Sequence, residues 1–215
     1  MKKVMKVMII AAITGIGFAA KAQTFSIGPT GGYGHSWITN TNGDTKFNPA
    51  WNAGIAAVYS TSTHFGLGVD VKYSAEGKTV KDLNSVADGA DNVKTTVNAN
   101  YVRVPVKAIY FFGDNNSAVR PKIYAGPSFG FLTGGKTNVR ENGVVAKTDT
   151  RDDIKNFDFG ATAGAGLNFK VAPRTWLNTD VAYYQGLTDI TKSNNTTQRN
   201  GNVGVNVGLL VGLGK

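Results

Sequence analysis

Residues 130–137 read Gly-Phe-Leu-Thr-Gly-Gly-Lys-Thr and match the spacing G-x-x-x-x-G-K-[ST]. That spacing holds phosphate when a glycine-rich loop opens into a helix, whose N-terminal N–H groups and Lys meet the charge. Here Asn138-Val139-Arg140-Glu141-Asn142-Gly143 follows, with no helix start, and the segment before it alternates and contains Gly126-Pro127. The stretch therefore reads as a strand entering a Gly-rich surface loop. Nucleophilic chemistry needs an activated side chain with a base in reach. The chain has no Cys and only two His, His35 and His64. Ser36 adjoins His35, but neighbours in a strand point to opposite faces, so the two form no dyad. His64 falls in a short turn. Without Cys, disulfides and thiolate zinc sites are excluded, and two isolated His make a poor metal site. The expectation is a protein that is not an enzyme, with no catalytic, cofactor-binding or metal residues.

The remaining charges gain meaning from the elements that carry them. The dominant period is 2. Phe65, Leu67, Val69, Val71, Tyr73 and Ala75 fall on one face, opposite Gly66, Gly68, Asp70, Lys72, Ser74 and Glu76. Val203, Val205, Val207, Leu209, Val211 and Leu213 likewise oppose Asn202, Gly204, Asn206, Gly208, Leu210 and Gly212. Phe157, Phe159, Ala161, Ala163, Ala165, Leu167 and Phe169 oppose a row containing Asp158, Gly160, Thr162 and Gly164. Such runs exceed the roughly 5 to 6 residues of soluble strands and reach the roughly 9 to 11 that a tilted strand needs to cross a bilayer.

Eight segments of this kind are expected, near 24–38, 49–60, 65–76, 96–112, 121–133, 154–170, 175–189 and 200–213. The connectors at 61–64, 113–120 and 171–174 are short, whereas those at 39–48, 77–95, 134–153 and 190–199 are mostly longer and rich in Asn, Asp, Thr and Lys. Short turns at one end and long loops at the other mark an outer-membrane barrel. Strands in lipid must satisfy every backbone polar group internally, so the sheet must close. The fold class is thus all-β: an eight-stranded antiparallel transmembrane β-barrel, an up-and-down meander. Aromatics on the apolar parity gather at both ends. Trp37, Trp51, Tyr73, Phe157 and Tyr183 lie toward the loops, and Phe25, Tyr59, Phe65, Phe112 and Phe169 toward the turns. Two girdles suit two membrane interfaces.

On the opposite parity lie Asp70, Lys72, Glu76, Arg103, Lys107, Lys122, Asp158 and Asp180. These are the lumen-facing polar candidates. Charges in a narrow lumen must pair, because an unpaired buried charge costs several kcal/mol. Eight strands leave room for side chains or one small ligand, so a structural ion-pair plug is favoured over a narrow pore.

Residues 1–22 read as a signal peptide. Lys2, Lys3 and Lys6 precede an apolar run from Val7 to Ala20, and Ala20-Lys21-Ala22 offers a cleavage site after Ala22. Removing this segment takes away four Lys and no acid, so the formal charge falls from +9 to +5. Nearly half of the basic balance is therefore a targeting signal. With no basic stripe in the rest of the chain, no nucleic-acid partner is expected. The domain organisation is a signal peptide over 1–22 and an outer-membrane barrel domain over 23–215.

Several stretches resemble a known family. Asn100-Tyr101-Val102-Arg103-Val104-Pro105-Val106-Lys107 looks like the N-Y-L-E-I-P-L strand of the PorT-like "porin family" of outer-membrane β-barrel proteins common in Bacteroidetes. Ala125-Gly126-Pro127 resembles its A-G-P strand, and Tyr184-Gln185-Gly186-Leu187-Thr188-Asp189-Ile190 its Y-x-x-G-L-x-x-I ending. Arg103 stands where that family often has Glu, and Gly212-Leu213-Gly214-Lys215 lacks a barrel's usual terminal aromatic. The resemblance implies architecture and location in the outer membrane of a Gram-negative cell more than chemistry. The expected partners are outer-membrane lipid, the barrel assembly machinery, and a protein or glycan met by the loops. The expected function is structural or adhesive, through the loops of a largely filled barrel. The alternatives are a narrow channel for small solutes and a soluble secreted β-barrel that binds a ligand.

Overall fold

The computed structural model describes residues 24–40, 44–82, 93–114, 116–141, 144–193 and 196–213. The expected signal peptide and its cleavage point lie outside the described residues. Alternating, β-branched and glycine-rich segments form ten antiparallel strands: β1 (Thr24–Ile38), β2 (Asp44–Lys46), β3 (Pro49–Ser60), β4 (Phe65–Asp82), β5 (Val93–Phe111), β6 (Val119–Glu141), β7 (Val144–Asp149), β8 (Phe157–Ala172), β9 (Thr175–Gly186) and β10 (Asn200–Leu213). Eight of them pair around a ring in the order β3-β1-β10-β9-β8-β6-β5-β4, and β4 returns to β3. The first and last strands meet from Phe25 opposite Leu213 to Ile38 opposite Asn200. Closure leaves the ring no free edge, which is the condition for strands in lipid.

The facing is that of a membrane barrel. Ile55, Val71 and Val205 are 55%, 53% and 54% exposed on the outside, while Asp70 and Asn206 are 4% and 7% exposed within. In water this arrangement would be inverted; against lipid it is the stable one. Rings collect at both rims. Trp51 lies 5.6 Å from Tyr73, Trp37 6.0 Å from Tyr183 and Phe131 5.6 Å from Phe157 at the loop end. Phe65 and Phe112 lie 5.1 and 4.9 Å from Tyr110 at the turn end. The two His sit in these belts. His35 stacks on Phe47 at 4.9 Å and accepts the Asn48 N–H at 3.0 Å. The His64 Nδ1 lies 3.0 Å from the Phe111 carbonyl oxygen. Ser36 points into the barrel, where it accepts from the Gly77 N–H at 3.0 Å.

The sheet outgrows the expected segments at the loop end. Pairing of β4 with β5 continues from Gly77 opposite Asn98 to Asp82 opposite Val93. Pairing of β5 with β6 continues to Lys94 opposite Arg140. β2 adds to β4, and β7 folds back on β6 from Lys136 opposite Asp149. Much of the stretches at 77–95 and 134–153, expected to be loop, is therefore strand. Thr79, Val80, Thr95, Thr96, Val97, Thr137 and Val139 are β-branched and favour extended backbone. The stretch at 130–137 stays in β6 throughout, with no turn at Gly134-Gly135 and no helix after it. The expected segments at 154–170 and 175–189 shift to β8 and β9, ending at Ala172 and Gly186.

Candidate functional site in the barrel lumen

Because inward residues alternate along every strand, equivalent rows of eight strands face one another across the lumen. Asp70, Lys72 and Glu76 come from β4, Arg103 and Lys107 from β5, Lys122 from β6, Asp158 from β8 and Asp180 from β9. All eight side chains lie in the interior, in two layers.

The layer nearer the loops is built on Arg103, which is 5% exposed. Its Nε and Nη2 donate to the two carboxylate oxygens of Glu76 at 2.5 and 2.6 Å, and Nη2 also donates to Asp158 at 2.8 Å. The carboxylates have further donors. Ser74 and Asn202 reach Glu76 at 2.7 and 3.1 Å, and Asn200 reaches Asp158 at 2.8 Å. The guanidinium lies 3.9 Å from the Tyr184 ring and 4.8 Å from the Tyr101 ring, on which its cation is also stabilised. A planar fork suits this two-carboxylate cradle in a way that a lysine would not. Gly130 leaves it space, since a Cβ there would come within 2.9 Å of Nη1. Above the layer, Ile154 packs with Ala99, Tyr101 and Leu132, closing this side of the loop end with apolar atoms.

The layer nearer the turns is built on lysines. Lys107 donates to both oxygens of Asp70 at 2.7 Å, and Lys72 lies 3.7 Å from the same carboxylate. Lys122 lies 3.4 Å from Asp180, which also accepts from Tyr124 and Asn206 at 2.9 Å each. Gly164 admits the Tyr124 ring, because a Cβ there would sit 2.4 Å from it.

The eight candidates comprise four acids and four bases, so they neutralise one another as a set. They are not neutral layer by layer. Arg103 faces two carboxylates, whereas three lysines face two, giving −1 toward the loops and +1 toward the turns. Two cavities within the lumen, of about 60 and 30 Å³, have room for a few waters. Among the described residues no group of three or more His, Asp or Glu is placed to hold a metal.

Several lumen residues do not stand out in the sequence. Tyr101, Tyr124 and Tyr184 share the inward parity of Arg103, Lys122 and Asp180, and that shared parity is the signal that marks them. Arg120 escapes because the expected segment begins at 121, whereas β6 begins at Val119.

A closed ring with lipid-facing valines and a paired polar interior is what comparison with known families can test. The model of the outer membrane protein beta-barrel domain matches residues 21–192. The chain belongs to this family. The match covers seven of the ring strands and stops before β10, which the fold supplies as the closing strand. Family membership places the barrel in the outer membrane. No curated protein matches the chain. Among solved structures, Neisserial surface protein A is 16% identical with a TM-score of 0.51, covering 89% of this chain and 99% of that one. The outer membrane protein OprG of Pseudomonas aeruginosa is 12% identical with a TM-score of 0.54, covering 92% and 99%. A major outer membrane protein of Thermus thermophilus is 13% identical with a TM-score of 0.55, covering 90% and 100%. At these identities what they share with this chain is the fold.

Proposed function

We propose that this protein is a closed-lumen barrel that serves as a structural and adhesive platform, meeting a protein or glycan partner through its loop end. The observation that carries this reading is the network across the lumen. Arg103, Glu76 and Asp158 join β4, β5 and β8, Lys72 and Lys107 with Asp70 join β4 and β5, and Lys122 with Asp180 joins β6 and β9. A solute in transit would have to break these pairs, each break leaving a buried charge uncompensated. The loop end, by contrast, offers surface. All six residues of β7 are exposed, with Val144 and Val145 at 71% and 40%. In this reading the chain is exported with cleavage after Ala22, inserted by the assembly machinery, and oriented with its loops outward.

The test combines conductance with binding. Folded protein in planar bilayers should show no channel steps above background. Cells displaying it should adhere to at least one member of a panel of matrix proteins and glycans, and Val144→Ser with Val145→Ser should reduce that adhesion several-fold without altering folding. Discrete, solute-selective conductance steps, with adhesion equal to cells lacking the protein, would replace this reading with a narrow channel.

A further inference from the structure

The turn end of the barrel holds a feature that the ion-pair layers do not use. A cavity of about 230 Å³ opens beneath the lysine layer, many times the roughly 10–15 Å³ that one water needs. Buried Arg120 and Lys122 form its inner wall, and exposed Lys170 and Arg174 its rim. Among the described residues four cations line it and no carboxylate does. Asp180, one layer deeper, holds Lys122 at 3.4 Å, and Asp114 acts on Arg120 from the neighbouring turn without lining the cavity. Lys122 belongs both to this wall and to the lumen layer directly above, whose remaining charges cancel, so the positive field in the vestibule comes from its own four cations.

Two buried groups there lack partners. Arg120 is 6% exposed, its Nη2 donates to the Thr63 carbonyl, and its guanidinium lies 4.6 Å from the Phe111 ring. Its Nε has no acceptor. Asn168, 8% exposed and also on the wall, has its Oδ1 without a partner, an acceptor that calls for a donor and not for an anion. A buried donor without an acceptor is costly, and the adjoining cavity is where an acceptor fits. Guanidinium and ammonium groups converging on a pocket recognise an oxyanion with several acceptor oxygens.

We propose that this vestibule binds a phosphate oxyanion, either free in solution or carried as the headgroup of an anionic phospholipid in the adjoining leaflet. Arg120 supplies the anchoring guanidinium, Lys122 the deep charge, and Lys170 and Arg174 the entrance. The rim gives the test a useful asymmetry. Arg174 has φ of 65°, a left-handed conformation that glycine adopts freely and other residues do not. Arg174→Gly should therefore leave the turn at least as stable while removing a cation from the mouth.

The folded chain in neutral detergent is titrated with inorganic phosphate, with binding followed by phosphorus NMR line broadening and by the thermal midpoint. In parallel, it is reconstituted into phosphatidylcholine vesicles with and without phosphatidylglycerol. Wild type should bind phosphate saturably, with affinity falling as salt rises. Arg174→Gly with Lys170→Gln should weaken binding about tenfold with no loss of thermal stability. Arg120→Gln should weaken it as much or more, the loss of one charge-assisted contact being on the order of tenfold. Binding to inorganic phosphate assigns the site to a free ion. A response confined to phosphatidylglycerol vesicles, and abolished by the same variants, assigns it to a headgroup. If neither probe perturbs the protein, or if the rim variants bind as wild type does, the proposal is wrong.

Discussion

Arg103→Met removes the centre of the upper lumen layer while keeping most of its length and apolar volume. Three charge-assisted hydrogen bonds are lost, at 2.5, 2.6 and 2.8 Å, from carboxylates that are 2% and 0% exposed. Breaking a buried pair by removing one partner costs about 3–5 kcal/mol, because the other charge stays buried and uncompensated. Here two carboxylates are stranded, which argues for the upper part of that range. Ser74, Asn202 and Asn200 still donate to them, and the 60 Å³ cavity beside Arg103 can admit water, which argues for the lower part. We expect a loss of about 4 kcal/mol, measured by urea titration of folding into thin-bilayer vesicles with Trp emission and gel shift as readouts. The triple variant Arg103→Met, Glu76→Gln, Asp158→Asn strands no charge. It should recover at least half of the loss, since a buried ionic triad replaced as a unit is often tolerated. A single-variant loss below about 1 kcal/mol would mean that water, not pairing, solvates the layer. A triple variant worse than the single one would refute the argument that unpaired charge is the dominant cost.

Two further predictions follow from facing and from the loop end. Val69 is 41% exposed and lies four residues from both Phe65 and Tyr73, the girdle aromatics of its strand. Val69→Arg should cost about 2–4 kcal/mol in bilayer folding, and a spin label at Val69 should meet lipid-dissolved oxygen while one at buried Thr162 should not. At the loop end, desolvation is the largest single effect on Asp189 and would raise its pKa. The Lys155 ammonium, at 2.7 Å, and the N–H groups of Gln198 and Thr191 outweigh it and hold the carboxyl below the usual carboxylate range. A depressed folded value means that the latch is fully made above the ordinary Asp value of about 3.9 and is lost as pH falls through the depressed one. Amide exchange at Gln198 and Thr191, corrected for intrinsic rates, should therefore stay slow at neutral pH and accelerate only in strong acid, with Asp189→Asn accelerating it at neutral pH and converging on wild type in strong acid.

The strands within the membrane were legible because lipid on one side and a polar lumen on the other force strict alternation. Val69 beside Asp70 and Val205 beside Asn206 are direct records of that asymmetry. Beyond the bilayer it disappears. Residues 95–98 and 137–139 stand in paired strands and are all half-buried, so burial does not alternate there and the sequence pattern resembles loop. The eight charged candidates could be placed by parity alone, but their partners could not. Which acid meets Arg103 depends on the stagger of three strands, set by pairings such as Lys72 opposite Arg103 and Gly130 opposite Asp158. The vestibule is not written in any one segment. Its cations are spread over β6, β8 and the turn that follows it, and only closure of the ring brings them together.

The hairpin of β6 and β7 stands apart from all of this. β7 pairs with β6 alone among the strands and buries none of its residues. Substitution there removes no buried side chain, so the hairpin and the membrane-embedded ring are under different physical constraints. The lumen is held in place by paired charges, and a single replacement within it leaves a buried partner uncompensated. The hairpin tip can drift one residue at a time, exchange its sequence wholesale, or accept an inserted peptide, with the barrel folding as before. A lineage carrying this protein could therefore alter what its surface presents without rebuilding the anchor that presents it.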